Sequence, residues 1–326
     1  MDMGGEHAGH DHSAHTATFI RNADGSYSYN HGAYLGHVVP GSFFVIWGLW
    51  WTFSVIYAHV SSLARRRRFT SSGWYALPFG TPFWRGPIEP WIKIVLPLFG
   101  IAGELRLGHS RYQALHTSDG KFDLETIRDW QHSTMYFAFV ASGVADLAVH
   151  HLRVNKGFSR AFLGLGFLIE GILLVFHLKG PEVEVKVHLI LALQVFATVV
   201  AMAFEAAWPH NVVAALARPY LTVVQGAWWI QTAYVMYRKL VAWDPEYMGS
   251  DMMVPVLCVF HLVVFALATL VAYGLGKRAA EKAYGRTFDD AEDLVHPDDL
   301  RADATALELA SLTGADIAER GVKAHR

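Results

Sequence analysis

Cysteine occurs once, as Cys258 inside an apolar run. That excludes an intramolecular disulfide, a cysteine-based zinc finger and an iron–sulfur cluster. Charge is also scarce. Only 17% of the 326 residues are Asp, Glu, Lys or Arg, where a soluble domain carries about a quarter. The 27 basic and 29 acidic side chains leave a formal net charge of −2, so no nucleic-acid footprint is present. No spacing matches HExxH or a zinc-finger pattern. No charged segment leads into an early apolar run, so no cleavable signal peptide is expected.

Apolar residues are plentiful, at 53% of the chain. They come in blocks of about 20, the length that crosses a bilayer as a helix. Seven such blocks fall at roughly 39–61, 88–107, 131–151, 159–178, 186–207, 212–237 and 252–275. Lipid offers the backbone no hydrogen-bond partner, so spanning segments must be helices or closed barrels. The expected fold is therefore all-α, a seven-transmembrane-helix bundle in an integral membrane protein. Residues 1–36 read as a polar, histidine-rich, loosely held tail, 37–276 as the transmembrane domain and 277–326 as an acidic cytosolic tail. Pro40-Gly41 and Gly180-Pro181 sit at segment edges, as turn chemistry predicts. Pro97 predicts a kink in the second span.

Basic residues set the expected orientation. Arg65, Arg66, Arg67, Arg68 and Arg85 follow the first span, Arg153, Lys156 and Arg160 the third, and Lys277, Arg278, Lys282 and Arg286 the seventh. This bias places the N-terminus outside or lumenal and the C-terminus in the cytosol. The Arg65–Arg68 run has two readings, a topology anchor and a contact with anionic lipid.

An ionisable group at bilayer depth costs about 2.5–3.5 kcal/mol on insertion scales, so such groups turn inward and find partners. Odd and even spans run in opposite directions. The starts of odd spans and the ends of even spans therefore share one side. His37, Glu104, Asp129, His132, His177, His188 and Gln231 all fall in that half, and Glu170 and His261 lie near mid-depth. Gln225 joins Gln231 on the sixth span. The opposite half reads as sparser, with His59, Asp146, His150 and Glu205.

Imidazole and carboxylate together suit a metal or proton handling. The expected metal ligands are His132, His177, His188 and His261. Glu104, Asp129 and Glu170 are the expected catalytic carboxylates, as base or supporting partner. His37, Gln225 and Gln231 complete the polar site. Zinc is the expected ion, with iron or copper as alternatives, and a membrane lipid the expected substrate of a hydrolase. The competing reading is that each histidine bridges neighbouring helices or snorkels to the interface. Asp146 and His150, four residues apart, suit a structural pair or a proton relay, with Glu205 as a further partner. Trp47, Trp50, Trp51, Trp228 and Trp229 read as interfacial or packing residues. His7, His10, Asp11, His12 and His15 form a tract able to capture metal, or simply a polar tail.

The stretches Gly36–Trp51, Trp130–Asp146, Ile169–His177, Val224–Gln231 and Val259–Leu267 resemble the transmembrane protein 45 family. The resemblance implies a seven-span bundle in secretory-pathway or plasma membranes, with no enzyme class to transfer. It supports His37, His132, Glu170, His177, His188, Gln225, Gln231 and His261 as pattern positions. Lys179 and Lys186 stand where that family tends to carry histidine. A proton- or ion-coupled transporter, a non-catalytic membrane scaffold and a haem protein are further readings.

Overall fold

A computed structural model describes residues 19–29, 32–76, 86–107, 115–178 and 180–288. The histidine tract near the start, Arg85, Arg111, Lys179 and the acidic tail lie outside the described residues. Seven long helices follow one another among them: α1 Tyr34–Ala64, α2 Ile88–Leu107, α3 Leu124–Leu152, α4 Gly157–Phe176, α5 Glu182–Ala207, α6 Val212–Tyr237 and α7 Met248–Tyr284. A two-stranded antiparallel hairpin, β1 (Phe19–Arg21) and β2 (Tyr27–Tyr29), precedes them. It stands inside the stretch that the sequence suggested was a loose tail, and Tyr29 packs on Tyr237 of α6.

Local chemistry sets the helix ends. Asp123 accepts a hydrogen bond from the Thr126 N–H at the start of α3, and Asn211 accepts one from Ala214 at the start of α6. Gly285, in the left-handed conformation, ends α7. Pro181 precedes α5, where its missing N–H costs no helical bond. Five helices, α1, α3, α4, α5 and α7, are long and apolar enough to cross a membrane. The chain is a multi-pass membrane protein of helical build. The expected second and sixth spans form as helices but fall short of that apolarity. α2 holds Glu89, Lys93, Glu104 and Arg106, and α6 holds Arg218 beside Pro219, with two glutamines and two tryptophans.

The helices pack in the order α2, α3, α4, α5, α6, α1, and α7 rests across α1, α5 and α6. Phe44, Trp47, Trp51, Phe139, Phe167 and Trp228 fill the centre. α7 is 37 residues long, about 55 Å at helical rise, and its apolar stretch is almost wholly uncovered. It is apolar all round, as a helix facing lipid should be.

α1 and α6 make the most extensive contact in the bundle. A Cβ added at Gly226 would stand 2.6 Å from the Gly41 carbonyl oxygen, and one at Gly41 would stand 2.8 Å from that of Gly226. Between membrane helices such small residues replace the hydrophobic effect, because they let backbones touch. Gly226→Ala should therefore cost about 1–3 kcal/mol through overpacking. Gly274, whose missing side chain would meet nothing within 4 Å, is the control. The expected outcome is a lower Tm in detergent for Gly226→Ala and no loss for Gly274→Ala.

Candidate functional site

Two polar layers occupy the interior, one toward each end of the bundle. The first layer contains the expected histidines, but as pairs. His37 on α1 faces His188 on α5, with Nε2 atoms 3.4 Å apart. His132 on α3 lies beside His177 at the end of α4, with ring centroids 5.7 Å apart. His132 and His177 are near enough to His37 to interact with it electrostatically. Each of the four rings is held through Nδ1. The acceptors are the Ala33 carbonyl for His37 (3.2 Å), the Glu184 carbonyl for His188 (2.8 Å), Glu104 Oε2 for His132 (3.2 Å) and Gln131 Oε1 for His177 (2.9 Å).

This anchoring assigns the tautomers. A carbonyl oxygen only accepts, so Nδ1 of His37 and of His188 carries the hydrogen. In the neutral ring the other nitrogen is then a lone-pair acceptor. Two acceptors thus face each other at 3.4 Å. The arrangement is repulsive unless a cation, a proton or a metal ion, stands between them.

The expected four-histidine centre does not form. Among the described residues no three His, Cys, Asp or Glu side chains are grouped to hold a metal ion. His261 is the misfit. It donates to the Leu257 carbonyl of its own helix (2.8 Å) and its ring lies on Trp228 and Phe265. That is a satisfied histidine among aromatic neighbours, and α7 is too peripheral to bring it inward. Glu170 is fully buried on α4 and accepts a hydrogen bond from Gln225 Nε2 (2.9 Å), while its Oε2 makes none. The Trp229 indole stands beside Glu170 and also against His37, with ring centroids 5.3 Å apart. Asp129 is buried three residues before His132, and Gln231 is half-buried on α6, outside these contacts. Lys186 bridges Glu182 (2.8 Å) and Asp251 (3.5 Å), tying α5 to α7.

The second layer is denser, which corrects the expectation that this half would be sparse. Glu89 on α2 gathers donors from three elements. Its Oε1 accepts from Trp51 Nε1 (2.8 Å) and Trp47 Nε1 (3.3 Å). Its Oε2 accepts from Trp50 Nε1 (3.2 Å) and the Tyr75 N–H (2.9 Å). Lys93, one turn on, reaches Glu89 at 3.3 Å and Asp146 of α3 at 2.8 Å. Ser159 of α4 also bonds Asp146. Arg218 of α6 grips Glu205 of α5 in two contacts, 2.7 and 3.2 Å, donates to the Ser72 carbonyl and lies 4.1 Å above the Trp51 ring. All five ionised groups are more than 90% buried. Tyr75 enters from the loop after α1, and burial pushes its phenol up to about 12, so it acts as a neutral partner.

Asp146 therefore pairs with Lys93 and Ser159, not His150, whose ring lies against Trp74 and His151. Glu205 pairs with Arg218. Of the tryptophans read as packing residues, Trp47, Trp50 and Trp51 are also donors to a buried carboxylate. The sequence held the signal. Trp47, Trp50 and Trp51 lie at i, i+3 and i+4 on one helix face, and Glu89 and Lys93 lie four apart on the next.

Fold and interior together define a multi-pass helical membrane protein with a paired-histidine layer and a buried ionic layer. Residues 156–274, from α4 to most of α7, match the model of a family described as a family of unknown function, DUF716. The chain is similar to transmembrane epididymal protein 1A of Mus musculus, 25% identical over 252 residues that cover 75% of this chain and 81% of that protein. Transmembrane epididymal protein 1 of Rattus norvegicus matches at the same identity and coverage. Transmembrane epididymal protein 1 of Homo sapiens is 26% identical over 152 residues, 45% of this chain and 56% of that protein. These matches correct the resemblance suggested by the sequence. The relatives are transmembrane epididymal proteins, not transmembrane protein 45.

Removing one member of a buried ion pair strands the other, at about 3–5 kcal/mol, whereas an apolar replacement of both is often neutral. Lys93→Ala and Asp146→Ala should each lower Tm sharply in detergent. The double change Lys93→Met with Asp146→Leu should recover much of the loss. The recovery remains partial because Glu89 keeps its charge.

Proposed function

We propose that the chain is a seven-span membrane protein whose histidine layer binds a transition-metal cation. His37 and His188 are the first ligands, and His132 and His177 form a second pair in the same layer. One observation carries this reading: two Nε2 lone pairs converge at 3.4 Å while both Nδ1 atoms are committed to carbonyls. Two imidazoles on a tetrahedral ion, with metal–nitrogen bonds of about 2.0–2.1 Å, hold their nitrogens roughly 3.3–3.4 Å apart. Nδ1 held by a carbonyl or carboxylate is also how metal-binding histidines are oriented. Zinc, copper and iron all accept such ligands.

A zinc ion with an open position would activate water against a lipid ester or amide. Glu170, buried and with one oxygen making no hydrogen bond, supplies the base. Glu104 orients His132. In the expected orientation this chemistry faces the outer or lumenal leaflet. A second reading is proton-coupled transport. It draws on the aromatic plug of Phe44, Trp47, Phe139 and Phe167 between two layers of ionisable groups, a closed state that movement of the helices would open.

Elemental analysis of the purified protein tests the first reading, in a background where His7, His10, His12 and His15 are alanine. About one zinc, copper or iron per chain is expected. It should vanish in His37→Ala and His188→Ala and persist in His261→Ala. Folded protein free of metal overturns the metal reading and leaves pH-dependent flux in liposomes to decide for transport.

A further inference from the structure

At the opposite end of α1 from the histidine layer lies a cavity of about 360 Å³, within the range of small-molecule sites. Its walls change character along the helix. Phe53 and Tyr57, half exposed with stacked rings, form one end. Arg65, Arg67 and Arg68 form the other. The two ends are about 18 Å apart by helical rise. The lining includes no carboxylate among the described residues.

The backbone is shaped to present those arginines. α1 ends with the Arg67 N–H on the Ser62 carbonyl and the Arg66 N–H on that of Leu63, the paired bonds of a Schellman turn. Arg66 takes the left-handed conformation, φ 53°, where glycine is usual. The turn folds Arg67 and Arg68 back beside Ser61 and Ser62. Capping does not account for the arginines, because Arg286 already donates to the carbonyls of Leu63 and Ala64. Arg65 and Arg67 are exposed, and their side chains make no hydrogen bond or ion pair among the described residues. A second sign lies in the cavity floor, where the Ser54 hydroxyl, 95% buried, has no hydrogen-bond partner.

We propose that this cavity binds an acidic phospholipid, with its phosphate held by Arg65, Arg67 and Arg68 and an acyl chain lying along Phe53 and Tyr57. The charge gradient selects this occupant. Guanidinium forks match phosphate oxygens, and the cavity runs from them along a helix that crosses the membrane, as a lipid does. A topology anchor alone needs the charges but not a cavity.

The test is the Tm of the full chain in neutral detergent, with phosphatidylglycerol, phosphatidylcholine of the same acyl chains, or inorganic phosphate added. Phosphatidylglycerol should raise Tm by roughly 5 °C or more at saturation. Phosphatidylcholine and inorganic phosphate should raise it by less than a third as much. The triple variant Arg65→Gln, Arg67→Gln, Arg68→Gln should keep its lipid-free Tm and lose the response. An equal shift with phosphatidylcholine, a full shift with inorganic phosphate, or a triple variant that still responds overturns the proposal. If the variant does not fold, the wild-type preference between the two lipids decides by itself.

Discussion

A carboxylate buried inside a helical bundle must find its hydrogen bonds within the protein, and Glu89 finds them on three elements at once. Three indole N–H groups of α1, one backbone N–H of the following loop and the ammonium of Lys93 converge on it. Each partner is then constrained in turn. Lys93 is drawn to Asp146, which fixes α2 against α3. Trp51 lies under Arg218, which fixes α1 against α6 and, through Glu205, against α5. Four helix-to-helix registers thus pass through one buried acid. Apolar contacts between membrane helices are nearly exchangeable with lipid, so they fix register weakly. Charges that cannot be left unpaired fix it firmly.

The histidine layer obeys a different rule. Its groups are polar but can be neutral, so none must be matched by an opposite charge. What fixes them is tautomer choice. Once the Ala33 and Glu184 carbonyls claim the Nδ1 hydrogens, His37 and His188 can only face each other as acceptors. An ordinary structural pair would donate from one ring to the other and would release one of those carbonyls. The geometry keeps both carbonyl contacts and leaves the two Nε2 atoms facing each other at 3.4 Å.

The helices themselves were legible in the sequence, because apolar blocks of spanning length admit few other folds. The site was only half legible. Counting ionisable residues by level found His37, His132, His177 and His188 because each sits at a span edge, where direction alone gives depth. It missed Glu89, Lys93 and Arg218, which are hidden in the two helices that do not meet the length and apolarity of a span. Their neighbours Trp47, Trp50 and Trp51 passed for an interfacial belt because tryptophan is common there. The level of His261 was near the right one, yet its ring turns to its own backbone. Rotation about the helix axis decides that, and a helix that is apolar on every face carries no signal for rotation.

The two layers do not merge, and the reason is steric. Phe44 and Trp47 of α1, Phe139 of α3 and Phe167 of α4 meet between them, with ring centroids 5.4–6.4 Å apart. Aromatic rings at this spacing, one pair stacked and the others tilted or edge to face, leave little room for water. The ionic layer therefore cannot share protons with the histidines through a continuous wet path in this arrangement. This division suits two separate duties. The ionic layer holds the helices in register. The histidine layer, whose rings need no opposite charge, is relieved of that duty.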